Sequence, residues 1–266
     1  MSALPGFLRI IITLLVAMAV GAAWAGVAAL LKVTRGVSEV ISTIMLNSIA
    51  TFIVAYLLTP QMLAVLEGNN ISTPPITDGG QLPVITFTGS TTPLYTLGIL
   101  ALIVGVIYAL VLSRTVFGFS IKATGMSESA AVASGISVNR MIVSAMLLSG
   151  AVAGLIGMPE LLNGSSASYS LNFPTGIGFT GIAVALLGRN HPLGMVFSAL
   201  LWAALDSTAN ALQGVGVARE LVTIMQGIIV LSVVVAYEFV RRYRLVLEAR
   251  DVAKALAAPA PEAVAA

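Results

Sequence analysis

The chain has 266 residues, 58% of them hydrophobic, with 13 Lys and Arg against 11 Asp and Glu and a formal charge of +2. Only 9% of its residues are charged, against about a quarter in ordinary soluble domains, too few to cover a water-facing globule; its solvent is lipid. The basic residues stand one or two at a time between apolar runs with no aromatic-interleaved basic patch, which excludes a nucleic-acid footprint; with no cysteine there is no thiolate chemistry, and His191 alone builds no multi-histidine metal site.

Apolar runs at residues 10–31, 40–58, 94–113, 141–158, 176–188, 193–213 and 221–240 predict an all-α, polytopic membrane helix bundle of about seven segments. Crossing about 30 Å of hydrocarbon takes roughly 20 residues at about 1.5 Å each, and most of the runs reach that length. The run 176–188, punctuated by Gly176, Gly178, Gly181 and Gly188, is too short and predicts a half-helix or the start of a broken one. The transmembrane domain is expected over 1–244, followed by a disordered tail at 245–266 that is Ala- and Pro-rich from Ala255 on.

Positive charge orients the segments. With the C-terminus cytoplasmic and seven alternating crossings, Lys32, Arg35, Arg114, Lys122, Arg140, Arg189, Arg241, Arg242, Arg244, Arg250 and Lys254 fall inside, leaving Arg9 and Arg219 outside. The same parity puts the N-terminus outside without a signal-peptide pattern, so a preceding helix is expected or one segment is miscounted. Residues 59–93 become the long external loop, with a strand or hairpin expected within 82–88. Residues 114–140 become the substantial cytoplasmic loop.

Polar residues inside apolar runs are expensive in lipid, so each is a candidate functional site. On the second segment Glu39, Thr43, Asn47 and Thr51 recur every four residues and share one helical face. Ser38 and Glu39 read either as members of a helix-capping start, the reading favoured for Glu39, or as part of that face. Glu160, beside Pro159 and flanked by Met158, Leu161 and Leu162, is either a solvated loop acid or an acid at a substrate entrance. Asp206 and Asn210 stand one turn apart on the sixth segment and serve either to line a cavity or to bond helices together, while Gln226 is a weaker candidate of the same kind. Gly150 and Gly154 form a Gly-x-x-x-Gly pair suited to close helix packing, and Gly178 and Gly181 are assigned the same role on the short segment.

No phosphate-binding loop of the Gly-x4-Gly-Lys-Ser/Thr type, no Gly-x-Ser-x-Gly elbow and no His-Glu-x-x-His pair occurs, so the expectation is a non-enzyme without cofactor or metal of its own.

The stretches Glu39 to Asn47, Ser149 to Gly154 with Glu160 following, and Gly176-Ile-Gly-Phe-Thr-Gly-Ile-Ala-Val-Ala-Leu-Leu-Gly-Arg-Asn-His-Pro-Leu-Gly194 resemble permease subunits of bacterial ABC importers in the branched-chain amino acid and ribose permease superfamily, nearest its simple-sugar and purine-nucleoside branch. The resemblance covers residues 4–244 and implies an inner-membrane subunit forming the path for a nucleoside or simple sugar by alternating access. It implies as partners a second permease subunit, ATP-binding subunits that hydrolyse ATP, an extracytoplasmic substrate-binding protein, a small-molecule substrate and lipid. Asn47, Glu160, Asp206 and Asn210 are then expected to line the substrate path. Gly125, Ser127, Glu128, Ala131 and Gly135 fall in the segment that resembles the family's coupling loop to the ATP-binding subunit. Ser127 can cap a short helix there, and Ala130, Ala131, Ala133 and Ser134 would offer a small-residue surface; the competing reading is an ordinary interfacial amphipathic helix. The chain looks N-terminally short against the family, and Thr180 stands where members often carry Asp. The rival function is an ion-coupled secondary transporter using Asp206 and Glu160; a membrane scaffold is a third reading.

Overall fold

The computed structural model describes residues 5–67, 70–76, 81–82, 84–85, 94–163, 167–170, 173, 176–214, 216 and 218–257. Two compact units divide the chain, Met1–Phe173 and Pro174–Ala266. The protein is an all-α polytopic membrane bundle, with six helices among the described residues that are long and apolar enough to span a bilayer.

In the first unit, α1 (Gly6–Arg35) and α2 (Glu39–Leu57) form a hairpin around Gly36, whose φ of 66° allows its N–H to bond Lys32 O and close the helix end. The stretch expected as the long external loop follows, in which β1 (Val65–Glu67) pairs antiparallel with β2 (Asn70–Ser72). Strand β3 (Val84–Ile85) pairs with β4 (Leu94–Tyr95). The strand expected within 82–88 is thus present at Val84–Ile85, while 86–88 lie outside the described residues. The pairing within 65–72 was not anticipated, because three-residue strands carry too little alternation to read.

Helix α3 (Leu97–Arg114) ends at a sharp turn into α4 (Val116–Met126). Thr115 makes that turn twice over: its Oγ1 accepts from the Gly118 N–H at 3.0 Å and donates to Val111 O at 2.6 Å. A Cβ at Gly118 would lie 2.2 Å from Val111 O, so glycine is required where α4 folds against the end of α3. The connection from α3 to α6 thus carries two short helices, α4 and α5 (Glu128–Ala133), the second starting after Ser127 as the sequence suggests.

Helix α6 (Val138–Gly154) packs lengthwise on α1 with backbones in contact, and α7 (Met158–Asn163) follows after a turn. An added Cβ would meet Gly150 O at 2.3 Å from Gly21, Gly21 O at 2.4 Å from Gly150, and Ala17 O at 2.1 Å from Gly154. Residue pairs run in opposite directions along the two helices, so the contact is antiparallel. Lipid offers no hydrophobic drive between helices, and this close approach supplies dispersion contact instead. Near the starts of α1 and α3, Ile10, Leu97, Met158 and Leu162 form the unit's buried apolar cluster.

The second unit holds α8 (Ile177–Leu187), α9 (Pro192–Gln213) and α10 (Arg219–Ala257). At 11 residues, about 16 Å by the helical rise, α8 is the half-length helix expected from the sequence. The tail expected to be disordered from residue 245 is helical as far as Ala257; Leu245, Val246 and Leu247 continue the helix-forming run of α10, and Pro259 and Pro261 arrive only beyond it.

Candidate functional site

The sequence-derived candidates separate into those the fold brings against a partner side chain and those it leaves facing outward. On α2, Asn47, Thr43 and Thr51 are all exposed; Thr43 Oγ1 donates to Glu39 O at 2.8 Å and Thr51 Oγ1 to Asn47 O at 3.0 Å. These back-bonds satisfy the hydroxyls within the helix, leaving the Asn47 amide as the group on that face able to bond outward. Glu39 does not join it. Its Oε2 lies 2.7 Å from Lys32 Nζ, tying the end of α1 to the start of α2. Ser38 occupies the N-cap position but its side chain makes no capping bond, so the capping start expected there is replaced by an ion pair.

Glu160 is exposed on α7, whose other side buries Met158 and Leu162. The apolar neighbours read from the sequence are thus the inward face of a short amphipathic helix, with the acid on the opposite face. Around it, backbone bonds join segments far apart in sequence: Thr73 N–H donates to Tyr169 O at 2.9 Å, Ile76 N–H to Ala167 O at 2.9 Å and Leu82 N–H to Leu162 O at 3.2 Å. Tyr169 N–H also donates to Thr73 Oγ1 at 3.0 Å, and the Tyr169 ring stacks on Phe173 with centroids 4.6 Å apart. Val54, Leu57, Leu58, Leu63, Thr73 and Tyr169 line an open recess of about 220 Å³ beside this tie. Its walls are apolar, unsuited to holding a sugar by hydrogen bonds.

The segment that resembles a coupling loop has defined geometry. Ser127 caps α5, its Oγ accepting from the Ala130 N–H at 3.3 Å, and Gly135 ends the turn after it with φ 78°, a conformation that favours glycine. Gly125, Ser127, Glu128 and Gly135 are exposed, as are Met126 and Val132 at 88% and 62%. Ala131 is the correction: at 1% exposure it is buried within its own unit and cannot belong to an outward small-residue surface. One face of a six-residue helix must anchor it, and Ala131 supplies that anchor, leaving Ala130, Ala133 and Ser134 outward.

In the second unit, Asp206 on α9 accepts a hydrogen bond at Oδ1 from Gln226 Nε2 on α10 at 3.0 Å. Asp206 is half-buried and Gln226 is 5% exposed. Asn210, one turn along, is exposed, while Ala209 and Val222 are buried. The spacing of these positions, three residues on along α9 and four back along α10, fits antiparallel neighbours. The α8–α9 turn is tight: a Cβ at Gly194 would lie 2.3 Å from Gly188 O and one at Gly188 2.5 Å from Met195 N. Arg189 and Asn190 between them hold φ of 57° and 54°, unusual for residues with side chains. The Arg189 guanidinium sits 4.1 Å from the Tyr237 ring centroid on α10, a cation–π contact that fixes the turn.

Gly150 and Gly154 meet α1 directly, as described. Gly178 and Gly181 do not meet a neighbour: among the described residues nothing lies within 4 Å of a Cβ added at either. Sequence reasoning missed Gly21 and Gly118. The repeat Ala17, Gly21, Ala25 on α1, small residues every fourth position, is the signal that could have found the first. For Gly118 no comparable pattern exists.

The family described as the branched-chain amino acid transport system permease component matches residues 1–234. The nucleoside ABC transporter permease protein NupB of Lactococcus lactis subsp. cremoris is 33% identical over 242 residues, covering 88% of this chain and 65% of that protein. The guanosine ABC transporter permease protein NupP of Bacillus subtilis is 34% identical over 236 residues, covering 88% and 67%. The glucose ABC transporter permease protein TsgB13 of Haloferax volcanii is 31% identical over 250 residues, covering 91% and 65%. The chain thus spans about two thirds of the length of these relatives. No solved structure gave a significant match.

Proposed function

The chain belongs to the family of branched-chain amino acid transport system permease components, and from that membership we propose that it is the transmembrane subunit of an ATP-driven importer for a nucleoside or simple sugar. The observation that carries this reading is the likeness over 88% of the chain to permeases named for nucleoside and guanosine transport. A second permease subunit completes the path, ATP-binding subunits hydrolyse ATP, and an extracytoplasmic binding protein delivers the substrate. In this reading the protein is a multi-pass inner-membrane subunit with a cytoplasmic C-terminus and no enzymatic activity of its own.

The segment 114–140 is the transmission element. Gly125, Ser127, Glu128 and Gly135, with the exposed Met126 and Val132, present α4 and α5 to the ATP-binding subunit, and the Thr115 turn ties α4 rigidly to the end of α3. Movement of the ATP-binding subunits is thereby passed to a spanning helix as a rigid-body shift between inward-open and outward-open packings. Asn47, Glu160, Asp206 and Asn210 line or border the path, and Gly178 and Gly181, open within this chain, give α8 a flat face for the second permease subunit.

The test is uptake of radiolabelled nucleoside by cells or proteoliposomes carrying the complete importer. Uptake that requires a hydrolysis-competent ATP-binding subunit and survives a proton uncoupler while ATP is maintained supports the proposal. Uptake that collapses with the uncoupler at constant ATP overturns it in favour of ion coupling through Asp206 or Glu160.

A further inference from the structure

We infer that Gln226 is a positioning residue that holds Asp206 as a hydrogen-bond acceptor for the hydroxyl groups of a neutral, polyhydroxylated substrate, an inference that rests on the importer reading above. Both residues lie inside membrane-length helices, Pro192–Gln213 and Glu220–Val240. Gln226 is six residues inside the Glu220 end of its span and Asp206 seven inside the Gln213 end of its own, about 9 and 10 Å by the helical rise.

A carboxyl group at that depth is costly unless it is paired with a cation or faces water or substrate. Among the described residues the ion pairs are Lys32 with Glu39 and Arg242 with Glu238, and neither reaches Asp206. Its partner is the neutral Gln226 amide, which bonds Oδ1 alone. Such a bond fixes the direction of the carboxyl group while supplying no countercharge, and Asp206 as a whole is half-buried, not sealed off. If the pair existed only to join α9 to α10, a neutral Asn–Gln pair would do so at lower cost in lipid. The retained acid is explained by what it accepts: two lone-pair-rich oxygens oriented for O–H donors, the groups a ribose or hexose presents and an apolar wall cannot bind. Exposed Asn210, one turn away, adds an amide to the same stretch.

The experiment uses the complete importer in proteoliposomes, with saturating loaded binding protein, comparing wild type, D206N, Q226L and the double variant. Copurification of the ATP-binding subunit and thermal stability report folding. We expect D206N to lower initial uptake of a ribonucleoside at least tenfold and Q226L three- to tenfold, with the double variant no worse than D206N, because Gln226 acts through Asp206. Uptake of the matching 2′-deoxynucleoside should fall at least threefold less than that of the ribonucleoside in D206N. Q226N, which keeps a shorter amide, should recover part of the Q226L loss. Equal losses for both substrates, or additive losses in the double variant, would overturn the inference and leave the pair as helix glue. Absence of ATP-driven uptake by the wild-type importer would instead overturn the importer reading itself.

Discussion

The contact between α1 and α6 and the contact between α9 and α10 solve the same problem by opposite means. In the first, Gly21, Gly150 and Gly154 bring the two backbones so close that a Cβ at any of them would strike a carbonyl oxygen of the facing helix, with Ala25 and Leu147 as the side chains beside them. In the second, Asp206 and Gln226 place a polar bond in the seam, and Arg189 over Tyr237 adds a second polar contact at the α8–α9 turn. Lipid gives helices no reason to associate through ordinary apolar burial, so either shape or polarity must do it. A seam closed by shape tolerates no added atom, whereas a seam closed by polarity tolerates atoms but not the loss of donors and acceptors.

The comparison breaks most easily at Gly154. Replacing it with Val drives a side chain into Ala17 O; overpacking typically costs about 1–3 kcal/mol, and a three-carbon side chain against facing backbone belongs at the top of that range. Folded yield and thermal stability in detergent should drop severely, whereas G178V and G181V, with open space around them within this chain, should leave stability of the separated chain nearly unchanged. Should G154V be tolerated, the α1–α6 seam is not closed by shape.

A smaller loss is expected for G188A, whose new methyl group meets backbone across the α8–α9 turn; a cost of about 1–3 kcal/mol follows if the turn cannot open. Removing the cap with S127A should cost about 1 kcal/mol locally and weaken copurification of an ATP-binding subunit without lowering the amount of chain in the membrane. Loss of the cation–π contact in Y237L should cost about 0.5–1 kcal/mol, seen as a modest fall in melting temperature that R189K only partly reproduces. The smallest effect belongs to E39Q, because the Lys32–Glu39 pair is partly solvated at 29% and 46% side-chain exposure; uptake should stay within twofold, and a larger loss would assign Glu39 to the polar α2 face with Asn47.

Much of this was legible in the residues. Long apolar runs, the too-short 176–188 segment and the Gly150/Gly154 spacing all depend on local length or period, and a helix imposes those locally. Ser127 as a cap was readable for the same reason, since its partner is only three residues away. Glu160 was harder: its apolar neighbours left it between a solvated loop acid and an acid at a substrate entrance, and the packing of Met158 and Leu162 against Ile10 and Leu97 shows that they turn inward and leave the acid exposed. Ala131 failed similarly, because a short alanine-rich helix carries no mark of which alanine is covered.

The sequence by itself determined the solvent, the class of fold, the approximate spans and the family, since each follows from composition or from contiguous residues. Tertiary structure alone decided which partner each residue meets: Gly21 for Gly150, Tyr169 for Thr73, Gln226 for Asp206. Those pairs stand up to more than a hundred residues apart, and no periodicity within one helix encodes the identity of the side chain facing it from another. The physical reason is that a helix fixes its own geometry through bonds four residues apart, whereas the choice of neighbour is settled only when whole faces compete for contact.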